Sequence, residues 1–92
     1  MIRSLKGRAL KRLYAAADRS GIRGDLVDTV ERILFEMDSA TSPQELNLPR
    51  YRLHSLKGDR QGYWAVTVRA NWRIIFRFED GDAWDVELID YH

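Results

Sequence analysis

The most regular part of the chain runs from Trp72 to Ile89 and reads WRIIFRFEDGDAWDVELI. Alternating apolar residues on either side of an Asp-Gly pair are typical of two strands joined by a tight hairpin turn, and Asp80-Gly81 supplies that pair. The predicted strands are Trp72–Phe78 and Ala83–Ile89. Their apolar faces hold Trp72, Ile74, Phe76 and Phe78 on the first strand, and Trp84, Val86 and Leu88 on the second.

Two further strands are predicted upstream of this hairpin, at Arg50–Leu56 and Tyr63–Arg69, with the polar loop 57–62 between them. Arg73 and Arg77 lie opposite the apolar face of their strand, so we expect one face of the sheet to pack on the helices and an open face to be basic. The predicted strand Tyr63–Arg69 carries Trp64, Val66 and Val68 on its apolar face.

The first half of the chain has helical periodicity. One apolar stripe combines Leu5, Ala9, Leu10, Leu13, Tyr14 and Ala17; a second, after the break at Ser20-Gly21, combines Leu26, Val27, Val30, Ile33, Leu34 and Met37. Ser42-Pro43-Gln44-Glu45 has the pattern of a capped helix start. The sequence therefore predicts an α+β fold in which an N-terminal antiparallel helical hairpin packs on one face of a small twisted antiparallel sheet.

Length and composition limit the kinds of protein that this chain can be. We expect residues 1–92 to form a single domain, since no linker or repeat divides them. Cysteine is absent, which excludes disulfides and cysteine nucleophiles. No apolar run approaches the roughly 20 residues of a membrane span, and the first residues lack the pattern of a signal peptide, so we expect a cytoplasmic protein without membrane contacts.

The net charge of +1 hides four blocks of alternating sign. Residues 1–23 carry +6, residues 24–49 carry −5, residues 50–77 carry +6 and residues 78–92 carry −6. Twelve of the fifteen bases are arginine, which suits contacts with phosphate groups. The blocks indicate either a nucleic-acid partner or a solvated, salt-bridged surface.

His54 and His92 are the only histidines, and they have none of the spacings of a metal site, so no cofactor is expected. Two imidazoles suit general acid–base catalysis, in which a ribose 2′-hydroxyl attacks the adjacent phosphate. A histidine within a strand can equally be structural. The chain ends Asp90-Tyr91-His92, where Asp90 and His92 are expected on one face and Tyr91 on the other; the alternative is a frayed terminus.

Lys57-Gly58-Asp59-Arg60 begins the polar loop between the first two predicted strands. It is either an ordinary solvent loop or a place where Lys57 and Arg60 meet phosphate. The three tryptophans, Trp64, Trp72 and Trp84, fall on the predicted core face, which favours packing over base stacking.

Several blocks of the sequence together resemble HigB-type toxins, the plasmid maintenance killer branch of the RelE/ParE superfamily. They are Leu53–Arg60, Gly62-Tyr63-Trp64, Val68–Ile74 and the Asp90-Tyr91-His92 ending, and the opening Met1-Ile2-Arg3-Ser4 is also similar. The resemblance spans essentially the whole chain and implies a RelE-like microbial RNase fold.

The resemblance also implies an activity: the toxin of a type II toxin–antitoxin system, an endoribonuclease that cleaves mRNA in the ribosomal A site without a metal. The partners implied are the 70S ribosome with its mRNA and a HigA-type helix-turn-helix antitoxin; operator DNA is bound only through the antitoxin complex. The implied cleavage residues are His54, Asp90, Tyr91 and His92. The resemblance implies phosphate or RNA contacts by Lys57 and Arg73, and contacts of the same kind are expected from Arg60 and Arg69.

The basic first block, Arg3 to Arg23, is predicted to lie on ribosomal RNA. The residues assigned to that contact are Lys6, Arg8, Lys11 and Arg12. Two other readings remain open at this point. Relatives of the same fold poison DNA gyrase without cutting RNA, and a ribosome-binding module need not be catalytic.

Overall fold

The computed structural model describes residues 1–91 of the chain. Its sheet has four antiparallel strands in the order β1-β2-β3-β4, with β1 at His54–Ser55, β2 at Trp64–Arg69, β3 at Trp72–Glu79 and β4 at Asp82–Asp90. The predicted α+β architecture is confirmed, and β2, β3 and β4 begin and end within one residue of the predicted strands.

The turn between β3 and β4 has the predicted two-residue form. Asp80 and Gly81 adopt φ values of 53° and 80°, and positive φ at both central residues defines the type I′ turn that suits twisted hairpins. Asp and Gly are residues that tolerate this conformation at low cost.

Two helices pack on one face of the sheet: α1 at Arg8–Ala16 and α2 at Val27–Ser39. Their buried side chains join Val66, Ile74, Phe76 and Val86 of the sheet in one core cluster; the helical members are Leu10, Leu13, Val27, Val30, Ile33, Leu34 and Met37. The connection between the helices passes close to α1, because a Cβ on Gly21 would lie 2.9 Å from Cβ of Ala9. Glycine is therefore required at that position.

The segment after α2 begins as predicted. Ser42 and Glu45 form a reciprocal capping box around a 3-10 turn at Pro43–Leu46, and Leu46 is fully buried beneath it. Within residues 1–91, no helix is both long and apolar enough to cross a bilayer.

The first residues are not helical, which corrects the placement of Leu5 on the first helical stripe. Ile2 and Leu5 form parallel bridges with Ala83 and Val86 of β4, so this segment extends the sheet beyond β4. Gly7, at φ +88°, separates the segment from α1 and prevents an earlier helix start. The helical spacing of Leu5 relative to Ala9 therefore does not reflect a shared helix.

The prediction of a strand over Arg50–Leu56 was wrong for most of its length, because only His54–Ser55 pairs as a strand. Arg52 takes a positive φ of 48°, which interrupts extended structure. Tyr51 turns inward and is 1% exposed, and its hydroxyl donates a hydrogen bond of 2.9 Å to Glu36 of α2. Burial of the Tyr51 ring is therefore incompatible with a continuous strand over Arg50–Leu56.

Trp84 is on the opposite face from the one predicted. The register shifts between Ile75 and Arg77, so Asp85 is an extra residue in β4 at a φ of 54°, and Trp84 pairs with Arg77. Such a bulge reverses the side-chain alternation of one strand relative to its neighbour. Trp64 and Trp72, by contrast, pack against the core as predicted.

Candidate active site

The sheet face away from the helices, called here the open face, carries a second and smaller apolar cluster. Leu56, Ala65 and Ile75 are buried there, with Tyr63 and Ile89 packed against them. The loop 57–62 connects two members of this cluster, Leu56 and Tyr63. The cluster gives that loop a fixed base on the sheet.

Backbone hydrogen bonds close the loop tightly. The Leu56 amide donates to the Tyr63 carbonyl at 2.9 Å and the Tyr63 amide to the Arg60 carbonyl at 3.0 Å. Between them lies a 3-10 turn at Gly58–Arg60, entered through Gly58 at φ +67°. The charged side chains of this turn therefore project from an ordered backbone.

A cleft of about 410 Å³ lies between this loop and the end of β4, and it is lined by Leu56, Lys57, Asp59, Arg60 and Tyr91. The amide of Tyr91 donates to the Asn71 carbonyl at 2.7 Å, which fixes the backbone there, while the side chain stays 42% exposed. The structure thus brings together three of the predicted site residues: Lys57, Arg60 and Tyr91.

His54 is exposed on β1 and pairs with Ala65, so its side chain projects from the open face. Its Nδ1 lies 3.0 Å from the backbone carbonyl oxygen of Arg52. Since a carbonyl only accepts, Nδ1 carries the hydrogen, and Nε2 of the neutral ring is left with a lone pair that can take a proton. His54 does not itself line the 410 Å³ cleft, but Leu56, two residues along on the same face, does.

The side chain of Asp90 lies on the other face of the sheet from that of Tyr91. It pairs with Trp72 on the helix side of β4 and opens into a second cleft, of about 330 Å³, which Arg23, Asp25, Arg69 and Asn71 also line. This agrees with the expected opposite facing of Asp90 and Tyr91. His92 lies outside the described residues.

Arg69 and Arg73, both expected to contact RNA, already interact with other groups of the protein. Arg69 comes within 4.0 Å of Asp25 and lines the second cleft, away from Lys57 and Arg60. Arg73 is on the open face, but its Nη1 donates to the carbonyls of Ala70 and Trp72, which ties it to the β2–β3 turn. Neither side chain lines the 410 Å³ cleft.

The open face is less basic than the sequence predicted. Arg77 donates from Nε to Asp85 at 2.9 Å and from Nη1 to Glu79 at 3.0 Å. The hydrogen bond from Arg77 is the main reason that the pKa of Asp85 lies below its ordinary value. The two acids neutralise the positive charge at this end of β3.

The four residues predicted to bind the ribosome are exposed, namely Lys6, Arg8, Lys11 and Arg12. Other bases of the first block are engaged: Arg3 with Asp82, Arg19 with Asp28 and Glu31, and Arg23 with Asp25. Among residues 1–91, none of the four predicted residues forms an ion pair of this kind. The available positive charge of the block is therefore concentrated on the residues expected to carry it.

Asp59 and Arg23 are among the residues of these clefts that sequence reasoning did not assign to the site. Asp59 lines the first cleft, where its negative sign and loop position gave no reason to single it out. Arg23 lies over the ring of Trp72, with its guanidinium carbon 5.6 Å from the ring centroid, in the second cleft. No local signal in the sequence connects residue 23 with residue 72.

Comparison with known proteins agrees with this architecture. Residues 3–92 match the profile of the HigB-like toxin family, described as RelE-like toxins of type II toxin–antitoxin systems. The chain is 49% identical to the endoribonuclease HigB of Proteus vulgaris over the full length of both proteins.

Solved structures share the fold at lower identity. YafQ of E. coli superposes with a TM-score of 0.62 at 18% identity, covering 95% of this chain and 89% of YafQ. The YoeB–YefM complex of Staphylococcus aureus gives 0.63 at 14% identity, covering 100% and 98%. With a family match over almost every residue, the chain belongs to the HigB-like toxins, the RelE-like toxins of type II toxin–antitoxin systems.

Proposed function

We propose that this toxin is an endoribonuclease that enters translating ribosomes and cleaves mRNA in the A site by metal-independent acid–base catalysis. The proposal is supported by family membership and by the relative of 49% identity, which is named an endoribonuclease. The ribosome supplies the substrate in this scheme, which makes the cytoplasm the place of action.

The observation that carries the proposal is the cleft on the open face. Lys57 and Arg60 line it beside the half-exposed Tyr91, and His54 projects from the same face with Nε2 available. Cations, an aromatic ring and a titratable imidazole are the groups needed to hold a nucleotide and move a proton at its phosphate.

The reaction follows from these groups. One imidazole takes the proton of the ribose 2′-hydroxyl, the 2′-oxygen attacks the adjacent phosphorus, and a second group protonates the departing 5′-oxygen. His54 and His92 fill these two roles in either order. Lys57, with Arg60 beside it, stabilises the charge that develops on the phosphoryl oxygens.

The remaining predicted residues act around this centre. Tyr91 positions the scissile nucleotide or shares in proton transfer, Asp90 at the end of β4 orients or charges an imidazole, and Arg69 and Arg73 contact RNA beyond the cleft. Because Arg73 already donates to two backbone carbonyls, its contribution uses the donors that remain.

Two partners belong to the proposal. A toxin of a type II system is paired with an antitoxin, and we propose a HigA-type protein with a helix-turn-helix domain, through which the complex binds operator DNA. The second partner is the 70S ribosome, whose RNA meets Lys6, Arg8, Lys11 and Arg12.

Primer extension on a translated message tests the proposal. Adding the toxin to a translating extract is expected to give new 5′ ends within codons, and omitting ribosomes is expected to abolish them. Intact mRNA with arrested translation would instead indicate a ribosome-binding module. Expression of the toxin in cells supplies the third outcome, since a DNA-damage response with intact mRNA there would indicate gyrase inhibition.

A further inference from the structure

Among residues 1–91, Asp59 is the one acidic residue that lines the 410 Å³ cleft, and the other lining residues are Leu56, Lys57, Arg60 and Tyr91. Its carboxylate is exposed on the ordered 3-10 turn Gly58–Arg60. Within residues 1–91 it forms no ion pair with either neighbouring cation and accepts no hydrogen bond. It is therefore free to meet a ligand.

A carboxylate in a cleft for RNA is unfavourable toward the phosphates, because like charges repel. The same group is favourable toward a base edge, because carboxylates accept hydrogen bonds from exocyclic amino groups. Lys57 and Arg60 are suited to the phosphates of the RNA backbone. Asp59, the acceptor between them in the loop, is therefore suited to the base and not to a phosphate.

Tyr91 supplies the second half of such a site. Tyr91 is 42% exposed and lines the same cleft as the loop residues Lys57, Asp59 and Arg60. Unstacked bases of single-stranded RNA are commonly held by stacking on aromatic side chains while their Watson–Crick edges are read by polar groups. A base on the ring of Tyr91 can direct its edge toward Asp59 within the same cleft.

We propose that Asp59 is a specificity residue that reads the edge of the base stacked on Tyr91 and selects bases with amino or paired N–H donors over uracil. Adenine offers N6, cytosine N4, and guanine N1 and N2. Uracil offers a single imide N–H between two carbonyl oxygens, which repel the carboxylate. This inference rests on the proposed nuclease activity and adds the base preference of that same cleft.

The experiment maps cut sites on a translated message with a randomised codon window, by sequencing 5′ ends after treatment with the full-length toxin. The wild-type protein is expected to disfavour uridine on the order of tenfold at one position adjacent to the cut. Asp59→Ala is expected to remove that bias, and Asp59→Asn, whose amide both donates and accepts, is expected to admit uridine. Asp28→Asn removes one exposed charge from α2 and is expected to leave the profile unchanged.

The outcomes separate the inference from the activity. If wild-type toxin produces no cuts, the proposed function fails. If it cuts with no uridine bias near the cut, or if Asp59→Ala keeps the wild-type profile, the assignment of Asp59 is overturned. A uniform rise in cutting at every codon for Asp59→Ala also overturns it, since that result would mean only relief of phosphate repulsion. Thermal melting of both Asp59 variants establishes that they are folded.

Discussion

Asp90 and Tyr91 are consecutive in the chain, yet their side chains line different clefts on opposite faces of the sheet. Tyr91 lies with Lys57 and Arg60, and Asp90 lies with Arg23 and Arg69. The end of β4 therefore separates the two clefts, and RNA that contacts both must pass around this strand end. Substitutions at the two positions should therefore affect different steps of RNA binding and cleavage.

We expect Tyr91→Ala to lower the cleavage rate by roughly 10²-fold, because the ring that positions the nucleotide is lost. Tyr91→Phe keeps the ring and should retain activity within tenfold of the wild type. Single-turnover cleavage of a ribosome-bound message measures both. Equal losses in the two variants would instead assign the phenolic proton to the chemistry.

His54→Ala should reduce cleavage by about 10²–10⁴-fold, the usual effect of removing a general acid or base. The protein should remain folded, since His54 is exposed on the edge strand. Ser55→Ala is the matched control, because Ser55 is the neighbouring residue of the same strand and faces the other way. Undiminished cleavage by His54→Ala would remove His54 from the mechanism.

The double substitution Lys11→Glu with Arg12→Glu should weaken ribosome binding, and the deficit should shrink as salt is raised. Both residues are exposed on α1, and contacts of this type release counterions from RNA. Co-sedimentation with ribosomes across a salt series measures the effect. Arg32→Glu, an exposed base of α2, is the control and should bind like the wild type; equal binding by the double variant at every salt concentration would contradict the assignment.

Much of this architecture could be predicted from local sequence, because β2, β3 and β4 alternate regularly and Asp80-Gly81 specifies its turn. The errors arise where tertiary packing prevails. Tyr51 is drawn into the core and ends the strand predicted around it, while Ile2 and Leu5 add to the edge of β4 through contacts some 80 residues away. Neither effect has a local signal.

The sequence predicted individual residues of the candidate site but not which of them lie together. Lys57, Arg60 and Tyr91 share a cleft, whereas Asp90 and Arg69 do not line it. The grouping depends on where the loop 57–62 lies relative to the end of β4, and this loop is held at both ends, by Leu56 and Tyr63, in the small cluster on the open face. Spacing along the chain carries no information about such a contact.

The bulge at Asp85 gives a prediction about stability. Asp85 combines a positive φ with a hydrogen bond from Arg77. Asp85→Asn should cost about 1 kcal/mol, because asparagine tolerates the left-handed backbone but the charged pair is lost. Asp85→Ala should cost about 1 kcal/mol more, because alanine is also strained there. Urea denaturation of both variants measures the difference; equal stabilities would show that the backbone conformation carries no cost.

The contact between Tyr14 and Asp38 predicts how stability depends on pH. The Tyr14 hydroxyl donates to Asp38 at 2.6 Å, and the Ile2 amide donates to the same oxygen at 2.9 Å. These hydrogen bonds, that of Tyr14 first, lower the pKa of Asp38. Burial of the phenol, and then its bond to Asp38, raise the pKa of Tyr14 from 10.0 to about 12.

The two shifts act at opposite ends of the pH range. The contribution of Asp38 to the free energy of unfolding is present above the ordinary carboxyl pKa of 3.8. It is lost as pH falls through the lower pKa of the folded state. That of Tyr14 is present below pH 10 and is lost as pH rises through about 12. Asp38→Asn should therefore flatten the acid limb of the stability profile, and Tyr14→Phe should flatten the alkaline limb.

At pH 7, Tyr14→Phe should cost about 1 kcal/mol, because one hydrogen bond to a charged acceptor is lost at a partly exposed site. Asp28→Asn, which changes an exposed carboxylate of α2, the helix of Asp38, is the control and should leave both limbs unchanged. Urea denaturation at intervals from about pH 2 to about pH 12 measures the profiles, so that both windows are covered. An acid limb in Asp38→Asn as steep as in the wild type would mean that other carboxylates, such as Asp82 and Asp85, determine acid unfolding.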